Sequence, residues 1–156
     1  MSKRSNKRVE EILTTHKEEY KQREEEEERQ VLDTKITVAT EGFTTHKFCE
    51  LILRDRSRLS KENALTICDY IIAMKREINP RLNTIRSTIQ FLYELSKSTG
   101  IEKKFADMTR DDILSYLDKC RKLENDDPLH KWIGSYNVKR VILMRFFRWA
   151  ILFRCC

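Results

Sequence analysis

The chain has 156 residues, room for one ordinary domain and an extension, and 40% of them are hydrophobic, enough to bury a core. A charged fraction of 36% with only three glycines and two prolines disfavours strands and turns, excludes a glycine-rich phosphate-cradling loop, and predicts an all-α protein. The formal net charge of +6 is uneven: thirteen cations meet thirteen acids up to Leu59, and eighteen meet twelve from Ser60 onward, so the whole excess lies in the half that reads as folded.

Met1 to Arg8 is polar and basic with no apolar stretch behind it, and no window approaches a membrane span of ~20 apolar residues, so a soluble, cytoplasmic protein is expected. Residues 1–40 read as a charged N-terminal extension, either mobile or a single solvated helix. Five successive glutamates at Glu24 to Glu28 repel one another there, and apolar residues are thin. A second reading makes this segment a DNA mimic, or a lid over the basic domain. Thr34 to Phe43 is weakly β-prone, and Gly42 breaks it. Residues 41–59 then read as a linker with a short docking helix, in which Phe48, Leu51 and Ile52 recur at helical spacing.

Residues 60–156 divide into four helix-sized segments punctuated by Pro80, Gly100, Pro128 and Gly134. The first is predicted from an N-cap at Ser60 to Ile78, with Leu65, Ile67, Cys68, Ile71, Ile72 and Met74 as its apolar positions. The second starts with Asn79 as cap and Pro80 at the first helical position, buries a stripe of Leu82, Ile85, Ile89, Leu92 and Tyr93, and ends at Gly100. The third opens on a capping box, Thr109 with Asp112, and fades by Asn125. Ser135 is predicted to cap the fourth, whose Val138, Ile142, Phe146, Trp149 and Phe153 line a core.

That fourth segment, Ser135 to Arg154, carries five cations and no acid. Lys139 and Arg140 fall in its first two turns, near a helix N-terminus that attracts phosphate, while Arg145 reads as a cation lying over an apolar stripe. On the second helix, 100° per residue gathers Asn83, Arg86, Ser87, Gln90 and Lys97 opposite the buried stripe. Arg, Asn and Gln carry the forked donors and acceptors that fit base edges, so this outer face suits a major groove, although the same residues also serve simply to solvate a helix. Met144, Phe147 and Ile151 project away from the main stripe and predict an interface.

Other chemistries find little support. The five cysteines are odd in number and lack metal-ligand spacing, which favours buried or free thiols over a disulfide frame or a zinc site. His16, His46 and His130 are scattered, and Asp111 and Asp112 diverge by 100° on one helix, so no metal and no cofactor is expected.

Taken in order, Leu82 to Leu92 (LNTIRSTIQFL), Met108 to Leu117 (MTRDDILSYL) and Tyr136 to Trp149 (YNVKRVILMRFFRW) resemble the N-terminal core-binding domain of tyrosine site-specific recombinases, the phage-type integrases. The likeness is greatest to archaeal members, which have a segment similar to Asp127 to Gly134 (DPLHKWIG), and it covers about Leu59 to Ala150. The resemblance implies a SAM-like four-helix domain that clamps one face of duplex DNA, its second and fourth helices approaching the major groove. It assigns groove contact to Asn83, Thr84, Arg86, Ser87, Gln90, Lys139 and Arg140, and makes Arg81 and Lys131 backbone contacts. The catalytic residues of that family lie in a further domain. This chain stops at Cys156, about where the linker to that domain would begin, has no His-x-x-Arg pair, and holds Tyr136 in the wrong module. The expectation is therefore a truncated integrase that binds DNA without being an enzyme. Its expected partners are double-stranded DNA and a full-length integrase or a second copy met through Met144, Phe147 and Ile151; the alternative is a helical protein-interaction module docking through the last helix.

Overall fold

The computed structural model describes residues 3–41, 46–122 and 126–154, and among them every regular element is helical. Six α-helices follow one another: α1 Lys3–Thr40, α2 His46–Arg54, α3 Lys61–Glu77, α4 Leu82–Thr99, α5 Arg110–Lys119 and α6 Trp132–Arg154, with a single 3-10 turn at Phe105–Asp107 before α5. The all-α expectation holds. The chain divides into two units, residues 1–34 and residues 35–156.

The first unit is one helical rod. Residues 13–31 of α1 are all exposed, and local ion pairs tie successive turns: Arg29 to Glu26 at 2.7 Å and Lys21 to Glu25 at 3.8 Å. Exposed pairs at this spacing stabilise a helix by only about 0.3–0.5 kcal/mol each.

The second unit begins inside α1, at residue 35. Thr34 to Thr40 is helical, against its β propensity. The reason is tertiary: Ile36, Ala39 and Thr40 are buried, and Lys35 pairs with Asp69 of α3 at 2.6 Å. Lys75 of α3 then donates to the carbonyls of Val38 and Glu41, which the end of a helix leaves without partners. Phe43 lies outside the described residues.

In α2 the docking face is turned from the expected one. Cys49 and Leu53 are fully buried, while Phe48 and Leu51 are exposed. Arg56 closes the turn that follows by donating to the carbonyls of Leu53 and Leu59, and Tyr93 of α4 donates to Asp55 at 2.6 Å.

Helix α3 starts as predicted, with Ser60 accepting from the Asn63 amide. Its buried face includes a polar staple: Asn63 donates to Ser96 Oγ (3.1 Å) and the Lys103 carbonyl (3.0 Å), and accepts from the Phe105 amide (2.9 Å). A buried amide whose donors and acceptor are satisfied fixes the 3-10 turn against α3 and α4. The start of α4 departs from expectation: Leu82, expected in the buried stripe, is exposed in its first turn, and Tyr93 further along is only half-buried. Asn79 sits at φ 40°, in the left-handed region favoured after a helix C-terminus, and Arg81 holds the N-cap position with no side-chain cap. At the far end Gly100 adopts φ 99° and stops α4.

The Thr109–Asp112 capping box is present, and α5 ends at Lys119, short of the predicted Asn125, which lies outside the described residues. Helix α6 starts at Trp132, three residues before the predicted cap. Asp127 accepts from the Trp132 amide at 3.0 Å, and the Ser135 hydroxyl donates back to the Trp132 carbonyl inside the helix, so Gly134 does not interrupt it. The core then closes on α6 through Ile142, Leu143 and Phe146; Val138 is exposed, and nothing described bears on the Phe153 side chain. Phe146 meets Tyr70 edge-on at 5.2 Å and Phe105 at 5.0 Å, an aromatic cluster joining α3, the 3-10 turn and α6.

Candidate nucleic-acid interface

The polar stripe expected on α4 exists and is flanked on both sides. Asn83, Arg86 and Lys97 are exposed, while Ser87 and Gln90 are half-buried. On one flank lies α2, with the Arg86 guanidinium 4.8 Å from the centre of the Phe48 ring. On the other lie α5 and α6, joined to α4 through Glu94. That carboxylate accepts from Gln90 Nε2 at 3.1 Å, Tyr116 OH at 3.1 Å and Lys139 Nζ at 3.2 Å. Burial, and then the Glu94 charge, push the Tyr116 phenol well above its ordinary range, so the hydroxyl stays a donor at any physiological pH.

Lys139 belongs to this knot. It is only 19% exposed, its ammonium rests 5.1 Å from the Phe91 ring and 5.5 Å from the Tyr116 ring, and it also donates to Cys120 Sγ at 3.5 Å. The expectation of a cation without an acid to neutralise it therefore fails for Lys139, because Glu94 supplies that acid from another helix. Arg140, 100° further round α6, is exposed. Thr84 and Arg81 are exposed beside and before the stripe.

Between the end of α5 and the start of α6 opens a cleft of about 490 Å³ lined by Lys119, Lys122, Lys131 and Lys139 with Asp127, Cys120, Trp132 and Ser135. Lys139 is turned to Glu94, so Lys119, Lys122 and Lys131 are set against the single carboxylate of Asp127, and the described lining is net positive. Lys119 donates to Ser98 of α4 at 3.1 Å, and Lys122 and Lys131 are exposed. The neighbouring Arg121 is held by Asp118 at 3.2 Å and lies 5.5 Å from the Tyr136 ring centre. Of the cleft lysines, Lys131 and Lys139 are expected from the sequence as site residues, and Lys119 and Lys122 are not. Their signal was the run Lys119-Cys120-Arg121-Lys122, read only as the fading end of a helix.

Glu94 thus links Gln90 of the α4 stripe to Lys139, which lines the cleft together with Lys131, while Arg140 is left to the outer side of α6. Ile133, Val141, Met144, Ile151 and Leu152 are exposed on that outer side; Phe147, grouped with Met144 and Ile151 from sequence, instead packs against Phe105 and Phe146. Among the described residues no group of three or more His, Cys, Asp or Glu could hold a metal ion, and no helix is long and apolar enough to cross a membrane. No protein-family model, curated protein or solved structure matches the chain.

Proposed function

We propose that this chain is a DNA-binding module, of the kind the core-binding domain of tyrosine recombinases supplies, that holds duplex DNA and does not itself break it. The observation that carries the reading is a shared carboxylate: Gln90, on the stripe with Asn83, Arg86 and Ser87, and Lys139, on the cleft with Lys119, Lys122 and Lys131, both donate to Glu94. Forked polar side chains on a helix suit base edges, and clustered ammonium groups suit the sugar-phosphate backbone. Thr84 and Arg81 extend the stripe at its start, and Arg140 adds a cation beyond it. A cytoplasmic, DNA-associated protein that shares its sites with a full-length integrase follows from the same proposal.

A duplex-binding titration at several salt concentrations tests it. Five phosphate contacts predict that log K falls with log salt at a slope of about −4 to −5. Lys122→Glu with Lys131→Glu should flatten that slope and weaken binding on every sequence, whereas Asn83→Ala with Gln90→Ala should mainly reduce discrimination between sequences. A second reading, a protein-docking module, is favoured by one observation: Met144 and Ile151 on α6 are 51% and 64% exposed.

A further inference from the structure

The cleft between α5 and α6 is bounded on one side by its own connection, because the segment joining those helices supplies Lys122, Asp127 and Lys131 to its lining. A cavity shut in this way favours the end of a strand, or a small molecule, over a strand running through. Its volume of about 490 Å³ suits a ligand of that size. Because Lys139 is held by Glu94 at 3.2 Å, the three remaining lysines meet only Asp127, and the described lining keeps a surplus of two positive charges. Trp132 lines the same cleft. Its backbone amide donates to Asp127 at 3.0 Å, but its indole N–H is buried with no hydrogen-bond partner among the described residues. A buried donor is ordinarily satisfied, by an ion or a water where the protein supplies no acceptor.

A closed side, a surplus of two charges and an unmet donor together describe a small dianion rich in acceptors. An internal phosphate of a nucleic acid carries one charge and has a sugar on both sides. A phosphomonoester carries about two charges near pH 7, offers three acceptor oxygens, and has a substituent on one side only. We propose that the cleft is a binding site for a phosphomonoester, with the ammonium groups of Lys122 and Lys131 and the Trp132 indole N–H donating to its oxygens. Lys119, tied to Ser98 of α4 at 3.1 Å, adds its charge from the α5 wall. The 5′ end of a DNA strand and a free nucleoside monophosphate both present this group. The proposal rests on the assignment of the cleft to phosphate and is independent of the duplex reading of the α4 stripe.

Phosphorus NMR of adenosine monophosphate (AMP) titrated with the full chain tests it. The resonance should shift saturably with a dissociation constant of about 1 mM or tighter. Dimethyl phosphate, a diester with a single charge, should bind at least roughly tenfold more weakly. Lys122→Gln with Lys131→Gln should weaken AMP binding by about tenfold or more, and Trp132→Phe, which keeps a ring and removes the N–H, by roughly fivefold. Unchanged helical content by circular dichroism identifies the folded variants. With AMP bound, identical duplexes with and without a 5′-phosphate separate the two sources: a preference of about threefold or more for the phosphorylated duplex assigns the group to a strand end, and none assigns it to a free nucleotide. A chain that does not bind AMP, or binds it no better than dimethyl phosphate, or an AMP affinity untouched by the lysine pair or by Trp132→Phe in folded protein, would overturn the proposal. If such a chain still held duplex DNA on the expected salt slope, this site alone would fall, whereas AMP binding without duplex binding would remove the duplex reading and keep the site.

Discussion

The two sides of α6 behave as different materials. Lys139 and Arg140 are neighbours in sequence and both cations, yet Lys139 is clamped by Glu94 over two aromatic rings while Arg140 stands in solvent. Phe146 is completely buried in an aromatic cluster, while Met144, two residues earlier, is half exposed. The inward side of the helix holds the bundle together, and only the outward side and the cleft at its start are available to a partner. A count of cations along a helix therefore overstates what it offers to DNA; what matters is which of them an acid from another helix has already taken.

The contrast can be broken most forcefully at the core. Phe146→Ala should cost about 3–5 kcal/mol, whereas Met144→Ala should stay within about 0.5 kcal/mol for the monomer, both read by urea denaturation. Next in size, Glu94→Gln removes the charge that holds Lys139 and weakens the acceptor for Tyr116. We expect a loss of about 1–3 kcal/mol, with partial exposure of Glu94 putting the value toward the lower end. The same substitution should release Lys139 into the cleft and steepen the salt dependence of DNA binding by about one unit.

Acid should loosen the other end of the bundle first. Hydrogen bonds from the Lys103 ammonium and then from the backbone and hydroxyl of Thr109 hold the Asp112 carboxyl down to about 2. Because the folded pKa lies below the ordinary value of 3.8, its stabilisation is fully present above about pH 5 and is lost as pH falls from there toward 2. Asp112→Asn should flatten stability against pH across that window. Smallest of all, Arg140→Ala should leave stability within about 0.5 kcal/mol and reduce the DNA salt slope by no more than about one unit, while Lys139→Ala should cost stability before it costs binding.

What the sequence made legible was local. The Ser60 cap, the Thr109–Asp112 box, the stop at Gly100 and the Ile85, Ile89, Leu92 stripe each depend on residues within a few turns of one another, and each is present. What it obscured was set by distant groups. Thr34 to Thr40 is helical because Ile36 is buried and Asp69 of α3 binds Lys35, which overrides a β-branched run. The start of α6 is fixed by Asp127 across a loop, so the better capping residue by type, Ser135, lies inside the helix. The candidate interface divided the same way: the α4 stripe was readable from periodicity, whereas the pairing of Lys139 with Glu94, 45 positions apart, and the gathering of Lys119 and Lys122 beside Lys131 were not.

The central claim is that the lysine cleft and the α4 stripe form one surface for duplex DNA. Its most direct measurement is duplex affinity against salt for the native chain and for Lys122→Glu with Lys131→Glu, using a short duplex of arbitrary sequence. The account predicts a slope of about −4 to −5 for the native chain and a slope shallower by about two units for the double variant. Equal slopes for the two proteins, or no salt dependence in the native chain, would contradict it.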